Sequence, residues 1–432
     1  MGPGSSDWES DFGLASLRRM RILLIGPMVP RTNGPGAIPL LLKTQLDALG
    51  ERHELTIVAG IGDEPGEEQG AQALLATGAE VHLAERRRLV SPRRRWRRRW
   101  QLASRWATTG WPWRTVWFAA PGVQAILDEL ATTRSFDVVA VEDSSMAMFR
   151  LPAGVPAVLT EYEVRRPRAT ASYAGPPAGW PRWAFEELDW RRWEGFQQAA
   201  WRRYDRLQAF TERDAAAIAK LAPNVAPRVR VNPFGVPIPP QVEPGREEPG
   251  NVLFIGNFTH PPNRDAAEWL VREIMPAVRD RHPGAHLTIV GSVPSREVLQ
   301  LASAHVDVIA DAPNVRPHLE TASVCVAPLR TGGGMRMKVL EALATGKAIV
   351  TTTRGAEGYA RAGERLPMIV ADDAAGIAAA TAELLDDEPY RRELGRRARA
   401  FAEQHHSPRA WAARLEAVYH EVTVKRNLVA QR

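Results

Sequence analysis

One segment of the chain reads Pro328-Leu-Arg-Thr-Gly-Gly-Gly-Met-Arg-Met-Lys-Val-Leu-Glu-Ala-Leu-Ala-Thr-Gly-Lys-Ala-Ile-Val-Thr-Thr352. An apolar run, 324–327, stands before it, and the spacing of Leu340, Leu343 and Ala344 predicts a helix after the three glycines. Glycines at the entrance to a helix let peptide N–H groups approach an anion, and the helix dipole adds to the attraction. The segment therefore predicts a strand, a phosphate-binding loop and a helix.

Charged side chains gather at the amino end of this predicted helix. Arg336 and Lys338 bring two cations there, and Glu341 is placed one turn further on to accept hydrogen bonds from sugar hydroxyls. A diphosphate joined to a ribose needs this combination, whereas the plain alternative is a glycine-rich turn with solvated charges. The predicted ligand-binding residues of this segment are Gly332, Gly333, Gly334, Met335, Arg336, Lys338 and Glu341.

Short apolar runs alternate with helical patterns on both sides of this segment. The predicted strands are 20–26, 55–59, 80–83, 138–141, 251–256, 287–290, 306–309, 324–327, 348–352 and 368–370. The predicted helical stretches are 38–49, 180–221, 265–281, 337–345, 374–386 and 389–405. This alternation predicts an α/β fold with two Rossmann-like domains facing each other across a ligand-binding cleft.

Composition suggests where the domains end. Residues 1–19 hold no apolar signal core and begin like an expression tag, so we expect a tag or a disordered leader. We expect an N-terminal domain at 20–235, a proline-rich linker at 236–250 and a C-terminal domain at 251–405. A final helix, 406–432, is expected to return to the N-terminal domain.

The overall composition narrows the class of protein. Apolar residues make up 44 % and charged residues 25 % of the 432 residues, and no apolar run is long enough to span a membrane. Cys325 is the single cysteine and lies in an apolar run, so a disulfide framework is excluded and a buried thiol is expected. We expect a cytoplasmic protein.

Further motifs in the C-terminal half support a family resemblance. They are Phe254-Ile-Gly-Asn257, Pro262-Asn263, Ala312-Pro-Asn-Val-Arg-Pro317 and Gly355-Ala-Glu-Gly358. With 328–352 they resemble the donor domain of retaining GT-B glycosyltransferases of family 4, in particular the bacterial glycosyl transferases of group 1. The resemblance implies that Gly256, Asn257 and Asn263 lie in the loop after the first strand of this domain. It also implies that Asn314 and Val315 form the nucleobase loop.

Two departures from the family pattern concern the charged residues. The family commonly has a pair of glutamates eight positions apart, and Gly333 stands where the first would be, with Glu341 as the second. Many members also carry Arg and Lys after the first strand, whereas this chain has Asn257, His260, Asn263 and Arg264 there. By resemblance, the diphosphate-binding and catalytic role passes to Arg336 and Lys338.

Family resemblance also implies the reaction. A sugar would leave a nucleoside diphosphate with retention of its anomeric configuration, by a front-face step without a covalent intermediate. The sequence contains no Asp-x-Asp and no cluster with metal-ligand spacing, so no metal and no cofactor beyond the nucleotide sugar are expected.

Two motifs of the N-terminal half are candidates for the same site. Gly34 and Gly36 follow the first strand, but Pro39 stands where the dinucleotide fingerprint needs a glycine, which argues against a dehydrogenase. The resemblance places this loop beneath the donor diphosphate; a plain turn is the alternative. Glu161 and Glu163 stand at the end of a predicted strand, where they would act as general base, position the acceptor, or form surface ion pairs.

Residues 86–117 combine nine arginines between Arg86 and Arg99 with six tryptophans. If 93–106 is helical, then Trp96, Trp100, Ala103 and Trp106 share one face. Such a helix would contact an anionic membrane or a lipid-linked acceptor, pack on its own domain, or bind another anion. Nucleic acid is not expected, because no nucleic-acid module accompanies it. The tryptophans of 180–201 are expected in the core or in an acceptor wall.

Three functions remain open at this level. The first is transfer of a sugar to a lipid-linked saccharide, a polysaccharide or a small natural product. The second is a nucleotide-sugar epimerase on the same scaffold, and the third is a non-catalytic nucleotide-sugar-binding protein. The tryptophan-rich N-terminal half argues against the epimerase, which would have no acceptor to bind.

Overall fold

The structure is a computed structural model, and it describes residues 18–32, 37–62, 66–86, 92–164, 180–240, 246–360 and 364–430. Gly34 and Gly36, the candidate residues of the loop after the first strand, lie outside the described residues. The chain forms two compact units. The first comprises residues 1–232 and 412–432, and the second comprises residues 233–411.

The N-terminal unit contains a sheet of seven parallel strands in the order β3-β2-β1-β4-β5-β6-β7. The strands are β1 Arg21–Gly26, β2 Glu54–Ile61, β3 Glu80–Glu85, β4 Val138–Glu142, β5 Ala157–Glu161, β6 Arg206–Ala209 and β7 Val229–Val231. The helices between them are α1 Ala37–Gly50, α2 Glu67–Leu75, α3 Pro92–Thr109, α4 Trp113–Phe118, α5 Gly122–Thr133, α6 Trp180–Trp201 and α7 Glu212–Leu221.

Continuous apolar runs explain the central strands of this sheet. Residues 22–25 of β1 and 138–141 of β4 are fully buried, as parallel strands covered by helices on both faces require. The strand order reverses between β1 and β4, because β2 and β5 lie on their outer sides. The carboxyl ends of β1 and β4 therefore mark the place where such sheets bind ligands.

The prediction of one helical stretch over 180–221 is wrong. α6 ends at Trp201, β6 occupies Arg206–Ala209, and α7 begins only at Glu212. β6 is held by pairing with β5 on one side and β7 on the other. A four-residue strand is too short to show a period of its own, so tertiary pairing decides its conformation.

The C-terminal unit contains six parallel strands in the order β10-β9-β8-β11-β12-β13. They are β8 Asn251–Asn257, β9 His286–Ser292, β10 Val306–Ala310, β11 Val324–Ala327, β12 Ile349–Thr351 and β13 Ile369–Val370. The helices are α8 Pro261–Trp269, α9 Met275–Arg281, α10 Arg296–Leu299, α11 Arg316–Thr321, α12 Met337–Thr345, α13 Ala374–Asp386 and α14 Glu388–His406. One π-helical turn, Leu270–Ile274, joins α8 to α9. Cys325 is buried in β11 as predicted.

The last helix, α15, spans Pro408–Ala430, and it contacts strands β6 and β7 and helix α1 of the N-terminal unit. His53 Nε2 lies 2.9 Å from Glu416 Oε1, and Gln45 donates a hydrogen bond of 3.2 Å to the Tyr419 hydroxyl.

Among the described residues, no helix is both long and apolar enough to cross a membrane.

Candidate active site

The candidate site lies at the strand-order reversal of the C-terminal sheet. β8 and β11 are neighbours there, and their carboxyl ends are Asn257 and Ala327. α8 follows β8 after a short loop, and α12 follows β11 after the glycine-rich loop. Both helices thus begin at the same edge of the sheet, where open α/β sheets bind their ligands.

The glycine-rich loop adopts backbone conformations that need glycine. Gly332 has φ +101° and Gly334 has φ +77°, values that side-chain-bearing residues rarely adopt. A Cβ at Gly332 would also come within 3.2 Å of the Arg336 guanidinium. Arg336 Nη1 in turn donates to the Gly333 carbonyl oxygen at 2.6 Å. The loop and the arginine therefore form one packed unit in front of α12, and Met335 is also buried.

Residues that follow β12 brace this loop. Thr352 Oγ1 donates to the Leu329 carbonyl oxygen at 2.6 Å, and Tyr359 Oη donates to the Arg336 carbonyl oxygen at 2.6 Å. Gly355 packs so closely that a Cβ there would overlap the Thr351 hydroxyl. The residues on either side of the Gly355-Ala-Glu-Gly358 motif thus hold the two ends of the segment that contains the glycine-rich loop.

Lys338 lies in the first turn of α12 and reaches across to α8. Its Nζ donates a hydrogen bond of 2.6 Å to Asn263 Oδ1 and lies 4.5 Å from the centre of the Phe254 ring. Burial and, to a smaller extent, the nearby Arg336 charge lower the pKa of Lys338 to about 7, while Glu341 acts in the opposite direction. A bound anion would favour the charged ammonium, so this lysine is suited to respond to a phosphate.

Glu341 lies one turn beyond Lys338 and is half-buried. Burial raises the pKa of its carboxyl to about 7, with Lys338 acting in the opposite direction. The structure therefore brings Arg336, Lys338 and Glu341 together at the amino end of one helix. A diphosphate with an adjoining ribose or sugar would find cations, peptide N–H groups and a carboxyl acceptor there.

Gly256, Asn257 and Asn263 form the other side of the site. Asn263 Nδ2 donates to the Asn257 carbonyl oxygen at 2.6 Å, and Asn257 Oδ1 accepts from the Thr259 backbone N–H at 3.0 Å. A Cβ on Gly256 would come within 3.2 Å of Asn263 Cβ, so glycine permits this close packing. Asn263 is thus joined both to the end of β8 and to Lys338.

Asn314 and Val315 lie on the loop that follows β10, two strands away from β8. Asn314 is exposed, and its Oδ1 accepts from the Arg316 backbone N–H at 2.9 Å, at the start of α11. These two residues share the carboxyl edge of the sheet with the glycine-rich loop but do not lie at the strand-order reversal.

Glu161 is the last residue of β5 and is only 2 % exposed. It accepts a hydrogen bond of 2.5 Å from Trp201 Nε1 and another from the Ser144 hydroxyl. Burial, together with the nearby Asp143 charge, raises its pKa to about 8. The alternative of a surface ion pair is therefore wrong for Glu161, because buried polar partners surround it.

Glu163 differs from Glu161 in exposure. Its side chain is 47 % exposed, and its Oε2 lies 3.8 Å from Arg114 Nη1. Arg114 also contacts Asp143 at 2.5 Å, so an arginine and two carboxylates lie together beyond β4 and β5. The sequence pattern did not single out Asp143 or Arg114. Asp143 could have been found by the pattern that indicates Glu161, an apolar run followed by acidic residues: the run 138–141 is followed by Glu142 and Asp143.

The arginine-rich segment contains α3. Leu102 is buried and Trp106 packs on α6, with its ring 4.7 Å from Phe185 and its Nε1 donating to Asp189 at 2.7 Å. Trp100 is 60 % exposed and Ala103 is exposed, so the predicted stripe does not form one packed face. The side chain of Trp96 lies outside the described residues.

The tryptophans of α6 divide into described and undescribed side chains. Trp193 and Trp201 are buried, which confirms the core prediction for these two. Trp190 is partly buried. The side chains of Trp180 and Trp183 lie outside the described residues.

Solved structures share this fold over most of the chain. HepE from Anabaena, solved with UDP and glucose, has a TM-score of 0.62 at 12 % identity and covers 93 % of this chain and 100 % of its own. Sucrose-phosphate synthase from Thermosynechococcus elongatus has a TM-score of 0.63 at 14 % identity, and the match covers 94 % of this chain and 100 % of the synthase. WaaG, a glycosyltransferase involved in lipopolysaccharide biosynthesis, has a TM-score of 0.58 at 15 % identity, and the match covers 92 % of this chain and 99 % of WaaG. The fold is the GT-B fold, as predicted.

The amino-acid sequence of the C-terminal unit is also similar to that of known glycosyltransferases. Residues 249–387, which make up most of the C-terminal unit, match the family model of the glycosyl transferases group 1. A Klebsiella pneumoniae protein described as an uncharacterized 44.6 kDa protein in the cps region is 25 % identical over 133 residues. That match covers 28 % of this chain and about a third (34 %) of the Klebsiella protein.

Proposed function

We propose that the protein transfers a sugar from a nucleotide-diphosphate sugar to an acceptor with retention of the anomeric configuration. One observation carries the proposal: Arg336 and Lys338 meet at the amino end of α12, at the strand-order reversal of a group 1 glycosyltransferase domain. HepE, which shares the fold, was solved in complex with UDP and glucose, so UDP-glucose is the first donor to test.

The chemistry follows from the charge of the leaving group. Negative charge grows on the diphosphate as the bond to the sugar breaks, and fixed cations and N–H dipoles stabilise that charge. Arg336, Lys338 and the first peptide groups of α12 supply this stabilisation without a metal. Among the described residues, no three His, Cys, Asp or Glu side chains are grouped as metal ligands. Glu341 accepts from hydroxyls of the ribose or sugar.

The N-terminal unit would bind the acceptor in this proposal. Glu163 is the better candidate for contact with an acceptor hydroxyl, because its side chain is 47 % exposed and Glu161 is enclosed by Ser144 and Trp201. Glu161 would then hold the end of β5 in place. A lipid-linked saccharide, a polysaccharide and a small natural product remain the acceptor classes.

We also propose that the protein binds peripherally to the cytoplasmic face of the plasma membrane through α3. The support is the exposed Trp100 beside the arginines of 93–99 on the same helix. Arginine-rich helices with exposed tryptophan bind to anionic bilayer surfaces.

A donor panel tests the proposed transfer. Purified protein is incubated with UDP-, GDP-, ADP- and dTDP-sugars, and release of nucleoside diphosphate is measured together with the identity of the sugar product. We expect slow release of diphosphate from one donor with water as acceptor. An epimerised nucleotide sugar would instead identify an epimerase, and tight binding without any turnover would identify a non-catalytic protein. Either result would reject the proposal.

A further inference from the structure

Asn263 holds the side chain of Lys338 through contacts that fix the orientation of its own amide. Its Nδ2 lies 2.6 Å from the Asn257 carbonyl oxygen, which can only accept, and its Oδ1 lies 2.6 Å from the Lys338 ammonium, which can only donate. Its backbone N–H donates to the His260 carbonyl oxygen at 3.0 Å. The asparagine is therefore fixed in place by the loop after β8.

The partners that β8 and α8 bring to Lys338 are uncharged. They are the Phe254 ring, 4.5 Å from Nζ, and the Asn263 amide. Among the described residues, the charged groups that act on Lys338 are Arg336 and Glu341 from its own segment. A carboxylate at position 263 would form the same hydrogen bond but would cancel the charge of the lysine and repel a phosphate.

We propose that Asn263 is a positioning residue, which aims the Lys338 ammonium at the donor diphosphate and, being neutral, adds no negative charge that would offset that of the ammonium. This inference rests on the proposed function of the site. Asn263 need not touch the donor: it acts through Lys338. Two substitutions at 263 should then change the charge state of the lysine in opposite directions.

The signs follow from the two chemical changes. Asn263→Ala removes an acceptor that favours the ammonium, so the pKa of Lys338 falls further. Asn263→Asp adds a neighbouring negative charge, so that pKa rises. In the unsubstituted protein, affinity for a diphosphate should be constant below the Lys338 pKa of about 7 and decline above it. The onset of this decline should move to lower pH in Asn263→Ala and to higher pH in Asn263→Asp.

The experiment measures affinity by calorimetry from pH 6 to 9 with UDP-glucose, or with whichever nucleotide sugar of the donor panel binds the unsubstituted protein. A nucleotide sugar lacks the terminal phosphate ionisation near pH 6 that a free diphosphate has. We expect both Asn263 variants to bind at least fivefold more weakly at pH 7.5, with opposite shifts of the pH onset. Unshifted onsets, or shifts in one direction, would overturn the inference.

Two further variants keep the result interpretable. Asn224→Asp makes the same charge change at an exposed position of the N-terminal unit and should leave the pH profile unchanged. Lys338→Arg, which stays charged throughout this range, should abolish the decline above pH 7. A decline that persists would show that a group other than Lys338 titrates and would overturn the inference, even if an Asn263 variant failed to fold. If the unsubstituted protein bound no nucleotide sugar, the proposed function itself would fail.

Discussion

The Tyr359 hydroxyl donates a hydrogen bond of 2.6 Å to the carbonyl oxygen of Arg336, the residue that immediately precedes α12. Tyr359 is fully buried and follows the Gly355-Ala-Glu-Gly358 motif. This bond joins the segment after β12 to the place where the proposed diphosphate site begins. The residue that follows the motif therefore holds the peptide group at the start of α12.

Tyr359→Phe should remove this bond and leave the ring in place. We expect the free energy of unfolding to fall by about 1 kcal/mol, the usual net contribution of a hydrogen bond. Donor affinity should fall as well, because the peptide before α12 is less firmly held. Urea denaturation and calorimetric titration measure the two effects. Unchanged donor affinity at a reduced stability would show that the bond has a structural role only.

Gly332→Ala should damage the glycine-rich loop. The backbone at 332 has φ +101°, and an added Cβ would come within 3.2 Å of the Arg336 guanidinium. We expect at least a tenfold loss of nucleotide-diphosphate affinity. Gly195→Ala is the matched control, because it lies in α6 with nothing within 4 Å of the added Cβ. That control should be stabilised by about 0.5–1 kcal/mol. Equal affinity of Gly332→Ala and the parent would contradict the loop's role.

Glu161→Gln should change how stability depends on pH. The pKa of Glu161 is raised to about 8 in the folded protein, against about 4.3 in an unfolded chain. Its contribution to stability is therefore complete below about 4.3 and is lost as the pH rises through 8. The amide does not titrate, so the variant should lose less stability between pH 5 and 8, as followed by calorimetry. Part of the dependence of stability on pH should remain in this variant, because the pKa of Glu142 is also raised, to about 7.

The control for this prediction is Glu163→Gln, which removes a carboxyl whose side chain is 47 % exposed. Its stability should follow the parental curve over the same pH range. A Glu161→Gln variant that also follows the parental curve would show that Glu161 is ionised in the folded protein.

The membrane proposal predicts a loss of vesicle binding when arginines of α3 are replaced. The parent should co-sediment with phosphatidylglycerol vesicles at low salt, because each arginine near an anionic surface contributes about 1 kcal/mol. The test variant replaces three residues by glutamine: Arg97, Arg98 and Arg99. The matched control replaces three exposed arginines of α14: Arg392, Arg396 and Arg397. Only the first variant should lose binding; a parent that never sediments would reject the membrane proposal.

The candidate site at the start of α12 can largely be predicted from the sequence, because its residues are close together in the chain. The glycines, Arg336, Lys338 and Glu341 fall within ten positions, so one strand, loop and helix determine their relative positions. The hydrogen bond between Lys338 and Asn263 joins positions 75 apart in sequence. It depends on β8 and β11 being neighbours in the sheet, which no local pattern states.

The burial of Glu161 in the N-terminal unit could not be predicted from the local sequence pattern. Glu161 is buried because Trp201 from α6 and Ser144 from the segment after β4 close over it. Those partners are brought together by the pairing of β4, β5 and β6. Because the local pattern predicts helix where β6 lies, the surroundings of Glu161 do not follow from it. Burial of a charged residue at a strand end is decided by tertiary packing.

Calorimetric titration of nucleotide-diphosphate sugars into the parent protein and into Arg336→Ala and Lys338→Ala tests the central claim most directly. If the diphosphate binds at the amino end of α12, each substitution should weaken binding by roughly 1.5–3 kcal/mol, the range for hydrogen bonds to charged groups. Thermal denaturation confirms that the variants are folded. Parental affinity in both folded variants would contradict the claim.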